Sequence, residues 1–142
     1  MAGRKQVAHS RISVMQKNIG LLSGSLALIG WSVTMATHAR VATGSLSHLD
    51  VNGGRVESAQ AGRAIAIGSA GTLLPVGYLI ARGTGAFGPI SSVERTSLKV
   101  LGGLFLASVA MQLAGTQFER TSMAPTAAVL GVGCLGLGFS PE

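Results

Sequence analysis

The sequence predicts an all-α, polytopic transmembrane protein, and three observations support this fold class. Charged residues make up only 11% of the 142 residues, whereas a soluble domain carries about 25%. Hydrophobic residues make up 47%, and the mean hydropathy is +0.49. Four long stretches contain no Asp, Glu, Lys or Arg. A soluble domain of this size needs polar side chains over much of its surface, so we expect lipid to surround most of the chain.

The four uncharged stretches cover residues 18–39, 64–81, 100–118 and 121–141, and they are 22, 18, 19 and 21 residues long. A helix needs about 20 predominantly apolar residues to cross the hydrocarbon core of a bilayer. We therefore expect four spans within a single helical domain of residues 18–142, or three spans if the last segment is re-entrant.

A basic tail, residues 1–17, precedes the first span. It contains Arg4, Lys5, Arg11 and Lys17 and no acidic residue. Its apolar residues follow a helical spacing, which predicts a basic amphipathic segment that leads into the first span. We expect the four basic side chains to bind anionic lipid headgroups. The same composition is typical of an organelle-targeting segment and of the ordinary positive flank of a membrane helix, so these interpretations stay open.

The later spans carry local start and stop signals. Pro75 lies within the second span and cannot donate to the carbonyl of Gly71, so we expect a kink there. The third span has a clear start, because the segment 91–94 (Ser-Ser-Val-Glu) fits a capping box and predicts a helix that begins near Ser92. Glu119 and Arg120 are the only charged residues between the third and fourth spans, which predicts a short turn and an antiparallel hairpin.

The distribution of Lys and Arg predicts the orientation in the membrane. With four spans, the tail and the loop between spans two and three lie on one side, which carries the four basic tail residues and Arg82, Arg95 and Lys99. The opposite side carries four basic residues: Arg40, Arg55, Arg63 and Arg120. Cytoplasmic loops hold the excess of Lys and Arg in membrane proteins. We therefore expect the tail to face the cytoplasm or the mitochondrial matrix.

Small residues recur four positions apart in every span and predict close helix packing. The residues concerned are Gly20, Gly24, Gly68, Thr72, Gly103, Ala107, Ala127 and Gly131. Such spacing lets helix backbones approach each other closely in lipid, where no hydrophobic force drives association. Gln112 is the most polar residue inside a span, so we expect it to face protein.

The sequence contains no catalytic constellation. Two GxGxxG matches, at 83–88 and 131–136, lack the strand–turn–helix context of a dinucleotide site. Cys134 is the only cysteine, which excludes an intramolecular disulfide and a CxxC pair. His38 is the only histidine near a span, and one histidine supplies at most one haem ligand. We therefore predict no enzyme activity, no metal site and no cofactor of the chain's own, but bound phospholipid.

These observations favour a small, non-catalytic accessory subunit of a larger membrane protein complex. The basic tail favours an energy-transducing complex, a respiratory chain complex or ATP synthase, of the mitochondrial inner membrane; a thylakoid or bacterial inner membrane is the alternative location. The expected partners are other membrane subunits and anionic lipids, with no nucleic acid. Two other functions stay open: a homo-oligomeric transporter or channel lined by Gln112 and the kinked second span, and a quinone- or haem-associated subunit that uses His38.

Overall fold

The computed structural model describes the backbone of residues 2–140 and the side chains of residue 15 and residues 18–140. Helix predominates over this part of the chain and no strand occurs in it, which confirms the predicted all-α class. The long helices are α1 (Ala2–Thr43), α2 (Ala59–Gly83), α3 (Ser92–Leu113) and α4 (Ala124–Phe139). A π-helical turn, Glu119–Met123, leads directly into α4, and two 3₁₀ turns, His48–Asp50 and Asn52–Gly54, lie in the loop after α1.

Four helical segments are long and apolar enough to cross a membrane, and the last is formed by the π-helical turn and α4 together. These segments are Asn18–Thr43, Ala59–Gly83, Ser92–Leu113 and Glu119–Phe139. Many of their large apolar side chains point outward; Ile67 and Leu104, for example, are each 62% exposed. Exposing such side chains to water is unfavourable, whereas lipid accommodates them. The chain is therefore an integral membrane protein.

α1 is longer than its membrane span, because the backbone of residues 2–17 continues the same helix. The predicted tail is thus helical and joins the first span without a break. The side chains of Arg4, Lys5, Arg11 and Lys17 lie outside the described residues. Their contact with lipid headgroups therefore stays a prediction.

α4 lies at the centre of the bundle, between α1 and α3, and α2 packs on α1. Glycines allow these helices to touch through their backbones. A Cβ added at Gly133 would collide with the backbone of Ala27 on α1, and one added at Gly102 would lie 2.8 Å from the carbonyl oxygen of Gly131. Membrane helices associate through such close van der Waals packing. α2 and α3 contact each other much less, and this leaves a gap on one side of the bundle.

The two ends of the bundle differ, and we name them for what they carry. The loop end carries residues 44–58 and the turn 114–116, and the terminal end carries residues 84–91 and the last turn of α4. At the terminal end, Arg82 Nε lies 2.8 Å from Glu94 Oε1, and Arg82 Nη1 donates to the carbonyl of Phe87 at 2.6 Å. Arg82 therefore fixes the loop 84–91 against the start of α3.

α3 begins as the sequence predicts, at a capping box. The Ser91 hydroxyl accepts a hydrogen bond from the backbone N–H of Glu94, and the Glu94 carboxylate accepts one from the backbone N–H of Ser91, at 3.2 and 2.7 Å. The first helical residue is Ser92.

The turn between α3 and α4 lies earlier in the chain than the sequence analysis places it. α3 ends at Leu113, and the next helical segment includes Glu119, which is only 6% exposed. Glu119 and Arg120 therefore do not form the turn. The reason is that the Glu119 carboxylate is satisfied by hydrogen bonds inside the fold and does not need water. The two helices still form the predicted antiparallel hairpin, because α4 packs along α3.

An apolar cluster fills the terminal half of the bundle. Its buried members are Ala27, Ile80, Ile90, Leu98, Leu130, Cys134 and Leu137. Every long helix contributes to it, so this half is closed by hydrophobic side chains. The other half, toward the loop end, contains the cavities described next.

Candidate functional site

A chamber of about 330 Å³ lies between the four helices, on the loop-end side of the apolar cluster. Seven of its lining residues carry hydroxyl groups: Thr34, Thr37, Ser69, Thr72, Ser108, Ser122 and Thr126. His38 and Gln112 complete the polar part of the wall, and residues such as Leu73 and Phe105 supply the apolar part. None of the described lining residues is Asp, Glu, Lys or Arg. The chamber is therefore mainly apolar, with several polar groups on its wall and no permanent charge.

The hydroxyl groups of the chamber mostly donate to their own helices. Thr34, Thr37 and Thr126 donate to the carbonyls of Gly30, Val33 and Ser122, each four residues earlier, at 2.7–3.0 Å. Thr72 and Ser108 donate to carbonyls three residues earlier. A hydroxyl has one donor hydrogen and two acceptor lone pairs. Once the hydrogen is used in this way, the oxygen offers only acceptor capacity to anything in the chamber.

A second cavity, the vestibule, adjoins the chamber at the loop end and has a volume of about 550 Å³. Its outer wall includes Asn52 and Arg55, which are exposed residues of the first loop. Three residues line both cavities: Ser108, Gln112 and Met123. The vestibule therefore connects the loop end to the wall of the chamber.

Gln112 stands on the wall that the two cavities share. Its side-chain oxygen Oε1 is buried and has no hydrogen-bond partner among the described residues. Gln112 is predicted to face protein, and in the structure its side chain extends from α3 to the wall of both cavities. A buried amide oxygen without a partner costs about 1–3 kcal/mol, which makes Gln112 the most unusual polar group of the site.

Glu119 closes the loop end of the site. Both of its carboxylate oxygens accept from the backbone N–H of Gly53, at 3.1 and 3.0 Å, and Oε2 accepts from that of Thr116 at 2.8 Å. The Thr116 hydroxyl donates to the carbonyl of Asp50. These contacts join the first loop to the α3–α4 turn, so they fix the outer wall of the vestibule.

Glu119 is not among the site residues predicted above, although the sequence carries a signal for it. Thr116 and Glu119 have the spacing of a capping box, Thr-x-x-Glu. In the structure, the Thr116 hydroxyl accepts from the N–H of Glu119 at 3.2 Å while the Glu119 carboxylate accepts from the N–H of Thr116. A Cβ at Gly115 would collide with that carboxylate. The helix therefore starts just after Thr116.

The π-helical turn Glu119–Met123 shapes the chamber wall. It places Ser122 and Met123 on the chamber, one turn before Thr126. The N–H of Ala124 bonds to the carbonyl of Glu119, five residues earlier, and Pro125 has no N–H to continue the ordinary α pattern. Single π-helical turns occur frequently at functional sites, and this one borders both cavities.

The predicted packing residues fall into two groups. Gly24, Ala127 and Gly131 are buried between helices, and Gly20 lies near Ser140 at the terminal end. A Cβ at Gly131 would lie 2.8 Å from the side chain of Leu106 on α3. This first group therefore packs within the chain.

The second group consists of Gly68, Thr72, Gly103 and Ala107, and all four are exposed. A Cβ added at Gly68 or Gly103 would meet no described atom within 4 Å. Thr72 lines the chamber. The helix faces of Gly68 and Gly103 thus have no packing partner within the described chain.

α2 is helical without interruption through Pro75, and the expected kink stays a prediction. A contact that no local sequence pattern predicts lies beside it. The indole Nε1 of Trp31 on α1 donates to the carbonyl of Leu73 at 2.7 Å, and a Cβ at Gly77 would lie 2.5 Å from the indole ring. Gly77 therefore makes room for Trp31, and this contact fixes α2 against α1 next to the chamber.

His38 lies half-buried on the chamber wall. Among the described residues, no group of three or more His, Cys, Asp and Glu side chains could hold a metal ion. Comparison of the chain with protein-family models, curated proteins and solved structures found no match. The fold and the site thus define an integral membrane protein of four long helices, with a chamber that has polar groups but no permanent charge and that adjoins a vestibule at one end.

Proposed function

We propose that this protein is a small, non-catalytic accessory subunit of a larger membrane protein complex. The observation that carries the proposal is the pair of outward-facing glycines, Gly68 on α2 and Gly103 on α3, which have open space around them within this chain. A helix surface that faces only lipid gains nothing from glycine, whereas close contact with another membrane helix requires small residues. The two outer helices therefore offer docking faces to other subunits.

The short connections support the same proposal. The loops of residues 44–58 and 84–91 are too short to form a domain outside the membrane, and they bond mainly to the bundle itself. A chain of this kind acts through its membrane surface. The basic, acid-free tail favours the mitochondrial inner membrane and, within it, an energy-transducing complex such as a respiratory chain complex or ATP synthase.

The outward glycines permit a sharp test. Gly68→Leu and Gly103→Leu add side chains where the isolated chain has room, so we expect both variants to fold. Membranes are solubilised in digitonin and separated on native gels. We expect the wild-type chain to migrate within a larger assembly, and each glycine variant to be released as the free chain.

Matched controls are Ile67→Leu and Val100→Leu, which change exposed apolar side chains next to each face and should leave the assembly intact. Recovery of the wild-type chain as a stable monomer would contradict the proposal, as would glycine variants that stay in the complex. Mass spectrometry of the assembly identifies its other subunits. Subunits of a thylakoid or bacterial complex would correct the location but keep the role.

One observation favours a second candidate function, a homo-oligomeric transporter or channel. The chamber adjoins the vestibule, and Gln112 lines both. A complete path would also have to cross the apolar cluster at the terminal half, which is tightly packed. Glycerol flux through liposomes that contain only this chain, lost in Gln112→Leu and kept in Gln117→Leu, would support this candidate over the first.

A further inference from the structure

We infer that the chamber is a binding site for a neutral amphiphile whose polar group is a hydroxyl, such as a phenol or a lipid alcohol. This inference is independent of the proposed role as a subunit, because it rests on the chamber and not on the outer helix faces. Three properties of the chamber carry it: its lack of charge, its excess of acceptors, and its access.

The first property is the absence of charge. No Asp, Glu, Lys or Arg occurs among the described residues that line the chamber. Among the described lining residues His38 alone can acquire a charge, so a charged ligand would find no permanent opposite charge in the chamber. Burying an unpaired charge is very unfavourable. The occupant is therefore neutral.

The second property is the hydrogen-bonding character of the wall. Thr34, Thr37 and Thr126 already donate to helix carbonyls, so their oxygens can only accept. Gln112 adds an amide whose oxygen lacks a partner, and rotation of the amide exchanges its acceptor and donor ends. A ligand group that both donates and accepts satisfies this wall, and a hydroxyl does so without charge.

The third property is access and size. α2 and α3 contact each other little, and Thr72 and Leu104, which line the chamber from these two helices, are both exposed. The gap between α2 and α3 therefore opens toward the surrounding lipid. A volume of about 330 Å³ lies within the range of small-molecule sites, and Leu73 and Phe105 provide an apolar surface for the body of the ligand.

The inference is tested on the full-length protein in phosphatidylcholine nanodiscs. A photoreactive octylphenol that carries a diazirine is cross-linked to the protein, and its labelling is competed with 4-octylphenol and with its methyl ether, 4-octylanisole. The ether keeps the shape and the acceptor oxygen but cannot donate. We expect labelling within the lining segments 33–38, 69–73 and 104–127. We also expect competition by the phenol at roughly tenfold lower concentration than by the ether, the ratio that one hydrogen bond of about 1.4 kcal/mol gives.

A further competition experiment distinguishes a lipid alcohol from a phenol as the occupant of the chamber. Dioctanoylglycerol, a neutral lipid alcohol, is used as a competitor beside 4-octylphenol. Stronger competition by the glycerol lipid would support an aliphatic alcohol as the occupant, and stronger competition by the phenol would support an aromatic one.

Two pairs of variants locate the site. Gln112→Leu and Thr126→Val remove polar groups from the wall, and we expect each to weaken labelling several-fold. Gln117→Leu and Thr121→Val make the same changes at exposed positions nearby and should have no effect. Equal competition by phenol and ether, or equal labelling of Gln112→Leu, Thr126→Val and wild type, would overturn the inference.

Discussion

Individual polar side chains affect the stability of this protein strongly, because few strongly polar groups lie within the helices. Gln112 and Glu119 lie on opposite sides of the short turn 114–116, and they differ in the hydrogen bonds that their polar atoms form. The Glu119 carboxylate has backbone N–H partners on two segments, whereas the Gln112 oxygen has none in the part of the chain that the structure describes. One residue therefore stabilises the fold, and the other is kept at a cost in stability.

Replacement of Glu119 should destabilise the protein. Glu119→Gln removes the charge from hydrogen bonds to Gly53 and Thr116, and bonds to charged groups contribute about 1.5–3 kcal/mol. We expect the free energy of unfolding to fall by that order, measured by thermal unfolding in mild detergent. Glu57→Gln, at an exposed position, should leave the unfolding midpoint unchanged; equal midpoints for both variants would argue against a structural role for Glu119.

Replacement of Gln112 should have the opposite effect in the empty protein. Gln112→Leu removes a buried oxygen that lacks a partner, and we expect the free energy of unfolding to rise by about 1 kcal/mol. The measurement is the same unfolding experiment without added amphiphile. Gln117→Leu is the control, and a lower midpoint for Gln112→Leu would mean that the amide is already satisfied.

At the scale of elements, helix contacts depend on the absence of side chains. A Cβ at Gly133 would collide with the backbone of Ala27, so a larger residue there must push α1 away from α4. We expect Gly133→Val to lower the free energy of unfolding by about 1–3 kcal/mol, the usual effect of overpacking. Thermal unfolding measures this change.

The matched control for Gly133 is Gly71 on α2. A Cβ at Gly71 would meet no atom within 4 Å, so Gly71→Val should shift the midpoint far less than Gly133→Val. If the two variants unfolded at the same temperature, the change in helix propensity alone would explain the lower stability of Gly133→Val. The close contact between α1 and α4 would then not contribute to it.

Elements were predictable from the sequence where a single local property decides them. The lengths of the four uncharged stretches predict four spans, and the capping box predicts the start of α3 at Ser92. The α3–α4 turn lies before Glu119, and not at Glu119 and Arg120, the two charged residues that interrupt the uncharged stretches. The partner that allows Glu119 to be buried is Gly53, 66 residues away, and no local pattern reports such a contact.

The candidate site was predictable only in part, for a similar reason. Gln112 was expected to face protein, but the hydroxyls that surround it come from four helices. Thr34, Ser69 and Thr126 lie far apart in the sequence, and each alone is an ordinary polar residue of a membrane helix. Only the packing of α1, α2 and α4 brings them to one cavity.

The whole molecule has two unlike ends, and this permits a prediction of topology. Ala86 lies at the terminal end and Glu57 at the loop end, and both are exposed. Cys134, the native cysteine, is fully buried and should give little background. We expect a membrane-impermeant maleimide to label Ala86→Cys and Glu57→Cys from opposite sides of sealed vesicles, with Ala86→Cys on the cytoplasmic or matrix side.

Two controls complete the labelling experiment. Wild-type protein shows the reaction of Cys134, and detergent-opened vesicles show that both introduced thiols can react. Labelling of both variants from one side would exclude the arrangement of helices described above. Labelling from opposite sides but with Ala86→Cys outside would keep the fold and reverse the predicted orientation.

Trp31 is the only tryptophan of the chain, and its indole joins α1 to α2 beside the chamber. Because indole emission responds to the loss of a hydrogen bond and to the polarity around the ring, the tryptophan fluorescence of this protein reports on the contact between α1 and α2. A separation of the first two helices would therefore be visible as a spectral shift without any added dye.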